Sequence, residues 1–186
     1  MNDHFREEVV IKRNRTMESF VYAMATVVMV VAGAYALFMI NLLISVISMS
    51  GFSGQIALEI ALVVFMAAVA VLIFLYRDRI KTEYEYTFTN GTLDFAQVFN
   101  NKKRKALGTM NVRNVEACGM VNSGAFRRYL AMPGVKRLNW FLNRDADLFF
   151  FYFTKESQKT LLILEPSSEM IELIKKYTGA GKFQIN

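Results

Sequence analysis

The sequence predicts an α+β protein. A hairpin of two long apolar helices precedes a small antiparallel β-sandwich or barrel of about six or seven strands, and one amphipathic helix closes it. Three observations carry this reading. Residues 20–49 contain no charge, and residues 56–76 contain one, Glu59. From Thr82 onward, aromatic and polar residues alternate at a period of two, the spacing of a half-buried strand. Near the C-terminal end, Met170, Ile171, Ile174 and Tyr177 recur at helical spacing.

The two apolar runs come first. About 20 apolar residues span a bilayer as a helix, and both runs reach that length. Between them, Ser50-Gly51-Phe52-Ser53-Gly54-Gln55 is rich in turn-forming residues, so the runs read as a transmembrane hairpin with a short loop. A cleaved signal peptide needs an apolar region of roughly 7–15 residues with a small-residue cleavage site, and the first run is longer. The chain divides into an N-terminal segment (1–18), the hairpin (19–81) and a C-terminal domain (82–186). Arg6, Lys12, Arg13 and Arg15 precede the first span. Arg77, Arg79 and Lys81 follow the second, and the loop carries no cation. By the positive-inside rule both termini lie in the cytoplasm, where the single Cys118 stays a free thiol. Asn41 is expected to hydrogen-bond across the helix interface. Ala32, Gly33, Ala34 and Ala36, with Ala57 and Ala61, supply small residues for close packing. Glu59 reads as a side chain facing the outer loop.

The strands follow in order. Residues 83–89 form the first and the Asn90-Gly91 pair the tightest of turns. Residues 92–99 return, and Lys102, Lys103, Arg104 and Lys105 make a charged loop. Residues 106–110, 115–121 and 135–142 are weaker strands, and residues 123–143 stay ambiguous. Residues 148–153 are a strand apolar on both faces, and residues 160–164 pair back onto it. Ser167 or Ser168 caps the last helix, Glu169 sits in its first turn, and Lys175 and Lys176 sit in its last.

Composition limits the chemistry. Of 186 residues, 54% are hydrophobic and 20% charged, which excludes a disordered tail, a collagen-like fibre and a nucleic-acid-binding arm. One Cys and one His exclude a disulfide framework, Cys-based zinc fingers and most imidazole chemistry. No Walker loop, G-x-S-x-G, G-x-G-x-x-G or zinc spacing occurs. No catalytic residue, metal site, cofactor or small-molecule substrate is therefore expected. Asp145-Ala146-Asp147 reads as a turn, and His4 as a solvated side chain.

The order of elements resembles a pleckstrin-homology-like (PH-like) domain. The residues that carry the resemblance are Tyr84-x-Tyr86-x-Phe88-Thr89-Asn90-Gly91-x-Leu93, the basic turn Lys102-Lys103-Arg104-Lys105, and Val112-x-x-Val115-Glu116. The closing Leu161-Leu162-Ile163-Leu164-Glu165-Pro166 and its helix also look like small bacterial membrane proteins of this layout. The resemblance implies a bacterial plasma-membrane protein with two helices and a cytoplasmic PH-like domain.

Three candidate surfaces follow. Lys102, Lys103, Arg104 and Lys105 lie toward the end where the chain leaves the bilayer and are candidates for acidic lipid headgroups. Arg127, Arg128, Lys136 and Arg137, with Trp140, form a basic and aromatic zone for membrane or partner contact. The strand at 148–153, apolar on both sides, reads as core covered by the terminal helix or as an interface with another chain, and Phe149, Phe151 and Phe153 are the candidates for that oligomer or partner interface. The expected function is a non-enzymatic module that binds membrane lipids and a protein partner or its own copy, and no nucleic acid. The alternatives are an anionic-lipid sensor and an accessory subunit of a transporter or membrane enzyme.

Overall fold

The computed structural model describes residues 4–184. The outermost positions of the first and last segments, 1–3 and 185–186, lie outside the described residues. The chain divides into two compact units: Asn14–Lys81, and Met1–Arg13 together with Thr82–Asn186.

The first unit is a helical hairpin. Helix α1 spans Thr16–Ser50 and α2 spans Gly54–Tyr76. Gly51, at φ 73°, ends α1, a conformation that favours glycine. The Ser53 hydroxyl caps α2 by accepting the Ile56 N–H at 3.3 Å. Ala36 and Leu43 of α1 are buried against Ile56 and Val63 of α2. Ala32 is also buried, and a Cβ added at Gly33 would sit 3.9 Å from Ala70. The small residues of α1 thus let the helices approach, whereas Ala57 and Ala61 are exposed. Asn41 does not reach across the interface as expected. Its amide donates to the Leu37 carbonyl one turn back in its own helix, at 2.8 Å. Both helices are long and apolar enough to cross a membrane by length and composition. Only 17% and 6% of their most apolar windows are buried, so that surface is left uncovered by the chain.

The second unit holds two sheets. Strands β1 (Phe5–Val10), β2 (Thr82–Thr89), β3 (Thr92–Phe99) and β4 (Lys103–Asn111) form an antiparallel sheet in the order β1-β2-β3-β4. Strands β5 (Ala117–Met120), β6 (Lys136–Trp140), β7 (Phe149–Lys155), β8 (Gln158–Leu164) and β9 (Phe183–Gln184) form the other, ordered β6-β8-β7-β5-β9. This sheet is mixed rather than antiparallel, because β6 runs parallel to β8 and β9 parallel to β5. Helix α3 (Gly124–Leu130) lies between β5 and β6, and α4 (Ser168–Tyr177) follows β8. At the β2–β3 turn, Asn90 and Gly91 both take positive φ, as an Asn-Gly hairpin requires.

Strand β1 has no counterpart in the sequence reading, which left residues 1–18 as a polar lead-in. Its more buried positions are Arg6, Glu8 and Val10. Two of these three are charged, so no apolar alternation marks the strand. The charged positions serve α4 instead. The Glu8 carboxylate accepts the Ser167 N–H at 2.9 Å and the Ser167 hydroxyl, while Arg6 pairs with Glu8 and Glu169. His4, expected to be solvated, contacts Tyr177 and Lys176 at the other end of α4.

The main core lies between the sheets. Tyr86, Phe88, Leu93 and Phe95 meet Phe149, Phe151, Leu162 and Leu164, and Met170 and Ile174 of α4 complete it. A second cluster lies on the far side of the second sheet, where Phe126 and Tyr129 of α3 cover Phe150, Tyr152, Leu161 and Ile163. This corrects the interface expected at the aromatic strand. Phe149 and Phe151 are fully buried in the main core, and Phe153 packs against it. The strand is apolar on both faces because α3, not another chain, covers its second face.

Candidate functional site: an open seam between two sheet edges

The two sheets do not join where β4 and β6 approach. Among the described residues β4 pairs with β3 alone and β6 with β8 alone, so each leaves one edge of its backbone unpaired. Between those edges lies a groove of about 560 Å³. Its floor is apolar: Phe95, Leu138, Trp140, Phe153 and Leu162. Its rim is polar and exposed, with Thr109 and Asn111 on β4, Lys136 on β6, and Lys155, Glu156 and Gln158 on the β7–β8 hairpin.

Each floor residue is placed by the pleat. Successive strand residues face opposite sides, so Lys136, Leu138 and Trp140 point one way and Arg137 and Asn139 the other. Phe95 sits across from Gly108, next to a register shift between β3 and β4. The Trp140 ring lies 5.1 Å from that of Phe95. The Tyr86 hydroxyl donates to the Trp140 carbonyl and accepts the Glu165 N–H at 3.3 Å, tying the first sheet to the end of β6. Burial pushes the ionisation of Tyr86 well above the ordinary phenol range, so this hydroxyl stays a donor. The seam is therefore pinned at Trp140 and open between the strand edges.

The structure brings three of the sequence-derived residues together here: Lys136, Trp140 and Phe153 line the seam. The others lie elsewhere. Arg127 and Arg128 are exposed on α3, and Arg137 donates to the Leu130 carbonyl at the end of that helix, at 3.0 Å. The basic zone is thus split between two faces by the alternation of β6.

The run at 102–105 is also split. Only Lys102 lies in the turn, with Asn100 and Asn101, both at positive φ; Lys103, Arg104 and Lys105 belong to β4. The register sets Lys103 opposite Phe99 and Lys105 opposite Gln97, in the rows of Thr82 and Tyr84. Arg104 falls on the other face, where it pairs with Glu85 at 2.5 Å. Lys103 and Lys105 share a face that Arg104 does not. They do lie at the end of the sheet where β2 begins at Thr82 and β1 ends at Val10, opposite Tyr84.

Sequence reasoning placed a strand at residues 106–110 but not its role as an open wall of the seam, and it left Gln158 in a turn. Edge status depends on which strands pair, and no local signal states that. Among the described residues no three His, Cys, Asp or Glu side chains group as a metal site. What the arrangement offers is a binding surface with an apolar floor, a polar rim that carries two lysines and one glutamate, and unpaired backbone on both walls.

Two packed sheets, one closing helix between them and an open corner define a PH-like domain. A family model described as "Bacterial PH-like domain (DUF6106)" matches residues 2–183, taking in β1, both long helices and the β domain together. The chain belongs to that family. No curated protein and no solved structure matches it.

Proposed function

We propose that this chain is a non-enzymatic integral membrane protein whose PH-like domain works in the cytoplasm as an interaction module for a protein partner or a second copy. Helices α1 and α2 act as the two spans. Their outward surface is apolar, and Phe20, Val31, Leu37, Phe38, Phe65 and Phe74 are all exposed. Lys12, Arg13 and Arg15 precede α1, and Arg77, Arg79 and Lys81 follow α2, so the positive-inside rule puts both connections to the β domain on the cytoplasmic side. The observation that carries the interaction reading is the seam: a water-exposed apolar groove walled by two unpaired strand edges invites a partner. The test is purification of the full-length protein from its native membrane in mild detergent, followed by native mass determination. A stoichiometric, salt-resistant complex or homo-oligomer supports the reading, and a lone monomer overturns it.

One observation favours a second reading, an anionic-lipid sensor. Lys103 and Lys105 occupy the end of the first sheet where both chain connections to the helices enter. Each cation near an acidic leaflet is worth about 1 kcal/mol. Under this reading Lys103→Glu with Lys105→Glu weakens binding of the β domain to anionic vesicles, and added salt does the same. Binding that ignores both changes removes it.

A further inference from the structure

The seam has features that select one kind of occupant. Its walls are strand edges, so the groove offers main-chain donors and acceptors in a row. Such an edge recruits an extended segment by strand addition, with hydrogen bonds giving affinity and side-chain pockets giving selectivity. Residues 107–111 of β4 form the wall beside the groove, enough for an extended segment of about four or five residues at about 3.3 Å each. A helix is about 10 Å across with its side chains and would leave both edges unpaired.

Charge narrows the occupant further. On the rim Lys136 and Lys155 outweigh Glu156. Further along β4, Lys103 and Lys105 face the side that Tyr84 and Tyr86 face, which is the side of the core and of Phe95. An occupant that runs along the β4 edge therefore meets apolar floor first and cations next.

Resting on the interaction reading above, we propose that the partner contributes an extended acidic segment that adds as a strand to the β4 edge. Its apolar side chains seat over Phe95, Leu138 and Trp140, and its carboxylates reach Lys136 and Lys155. The backbone carries part of the recognition, so the segment binds by being extended, apolar where it passes over the floor and acidic where it passes the rim lysines, which share the floor's side of their strands.

The protein carries its own reporter. Trp140 is the single tryptophan of the chain and lies in the seam. The experiment uses the full-length protein in nanodiscs of zwitterionic lipid and a short, end-blocked peptide with a Val-rich middle flanked by Glu. The expected result is a saturable shift of Trp140 emission together with slowed amide exchange at residues 107–111. The same peptide with methylated backbone nitrogens keeps its charges but loses its donors, and it is expected to fail. Lys136→Glu with Lys155→Glu, both exposed, is expected to weaken binding at least tenfold while leaving the unliganded emission spectrum unchanged.

Four outcomes overturn the proposal: no response to the peptide, equal binding of the methylated form, equal binding of a Lys–Val peptide, or a Trp140 shift only with phosphatidylserine in the nanodisc. The last points the seam at the lipid surface instead. If the peptide fails while a stoichiometric complex still purifies, only strand addition is wrong. If no complex purifies either, the interaction reading falls with it.

Discussion

Ser167 shows how one residue joins two parts of the β domain. Its hydroxyl accepts the Met170 N–H at 3.2 Å and so caps α4, while its own donors go to Glu8 on β1. Ser167→Ala removes the cap and one hydrogen bond to Glu8, whose carboxylate keeps the Ser167 backbone N–H and Arg6. The expected loss is about 1 kcal/mol for the cap, read as a lower thermal midpoint. Cys118 makes a different statement. It is buried on β5, and burial pushes its thiol up to about 11 from 9.0, although Thr178 and Lys182 oppose the shift. An acid with a raised folded pKa holds its proton more tightly when folded. Below pH 9 the folded and unfolded thiols are both protonated and contribute no slope. As pH rises from 9 toward 11, the unfolded thiol ionises first and stability falls, by about 1.4 kcal/mol per unit. Cys118→Ala should remove that part of the alkaline slope in denaturant titrations. The wild-type thiol should also react slowly with thiol reagents at neutral pH until the protein is unfolded.

At the scale of elements, α3 decides how the aromatic strand is read. The Phe126 ring lies 5.4 Å from Phe150, and Tyr129 stacks 4.4 Å from Tyr152. Phe126→Ala opens this second core. The expected cost is about 3–5 kcal/mol, measured by chemical denaturation, with dye-detectable apolar surface exposed on β7 and β8. The sequence predicts no helix here for a physical reason. Seven residues, Gly124–Leu130, are too short to show a periodic stripe. The segment is helical because Ser123 caps it and the second sheet receives its apolar side. The β2–β3 hairpin was legible because both of its signals, alternation and Asn-Gly, are local. Helix α4 was legible for the same reason, through its cap, stripe and terminal lysines. Strand β1 was hidden because its inward positions are charged, and β9 because two residues carry no period. The candidate site follows this division. Lys136, Trp140 and Phe153 could be picked out by residue type, but their meeting at an open seam depends on the pairing of β4 and β6. Phe149 and Phe151 stayed open between core and interface because a two-sided apolar strand looks the same whether a helix or another chain covers it.

At the scale of the whole molecule, the chain order has a consequence for how the β domain can be made. Strands β1 and β2 are antiparallel neighbours, with Val10 directly opposite Tyr84. In chain order the connection between them is the entire helical unit, Asn14–Lys81. The helical hairpin is thus an insertion into what would otherwise be the turn of a β-hairpin, and a domain cut at Thr82 lacks a strand. Such a fragment leaves the edge of β2 bare and takes Arg6 and Glu8 away from α4, where Glu8 holds Ser167. We expect residues 82–186 alone to aggregate or to unfold at lower temperature. A chain that joins residues 1–13 to 82–186 through a short Asn-Gly-containing loop restores β1, because paired strands lie only about 4.5–5.5 Å apart at opposite residues. That chain should be soluble without detergent. It should also show cooperative unfolding by Trp140 emission and amide exchange that protects β2 on its β1 side. Equal stability of the two chains would mean that β1 is an ornament of the sheet rather than part of the folding unit. A cooperative difference would explain why an N-terminal strand is separated from its sheet by two helices: both connections leave the sheet at one end, so the domain is held to the helical unit by two chain segments rather than one.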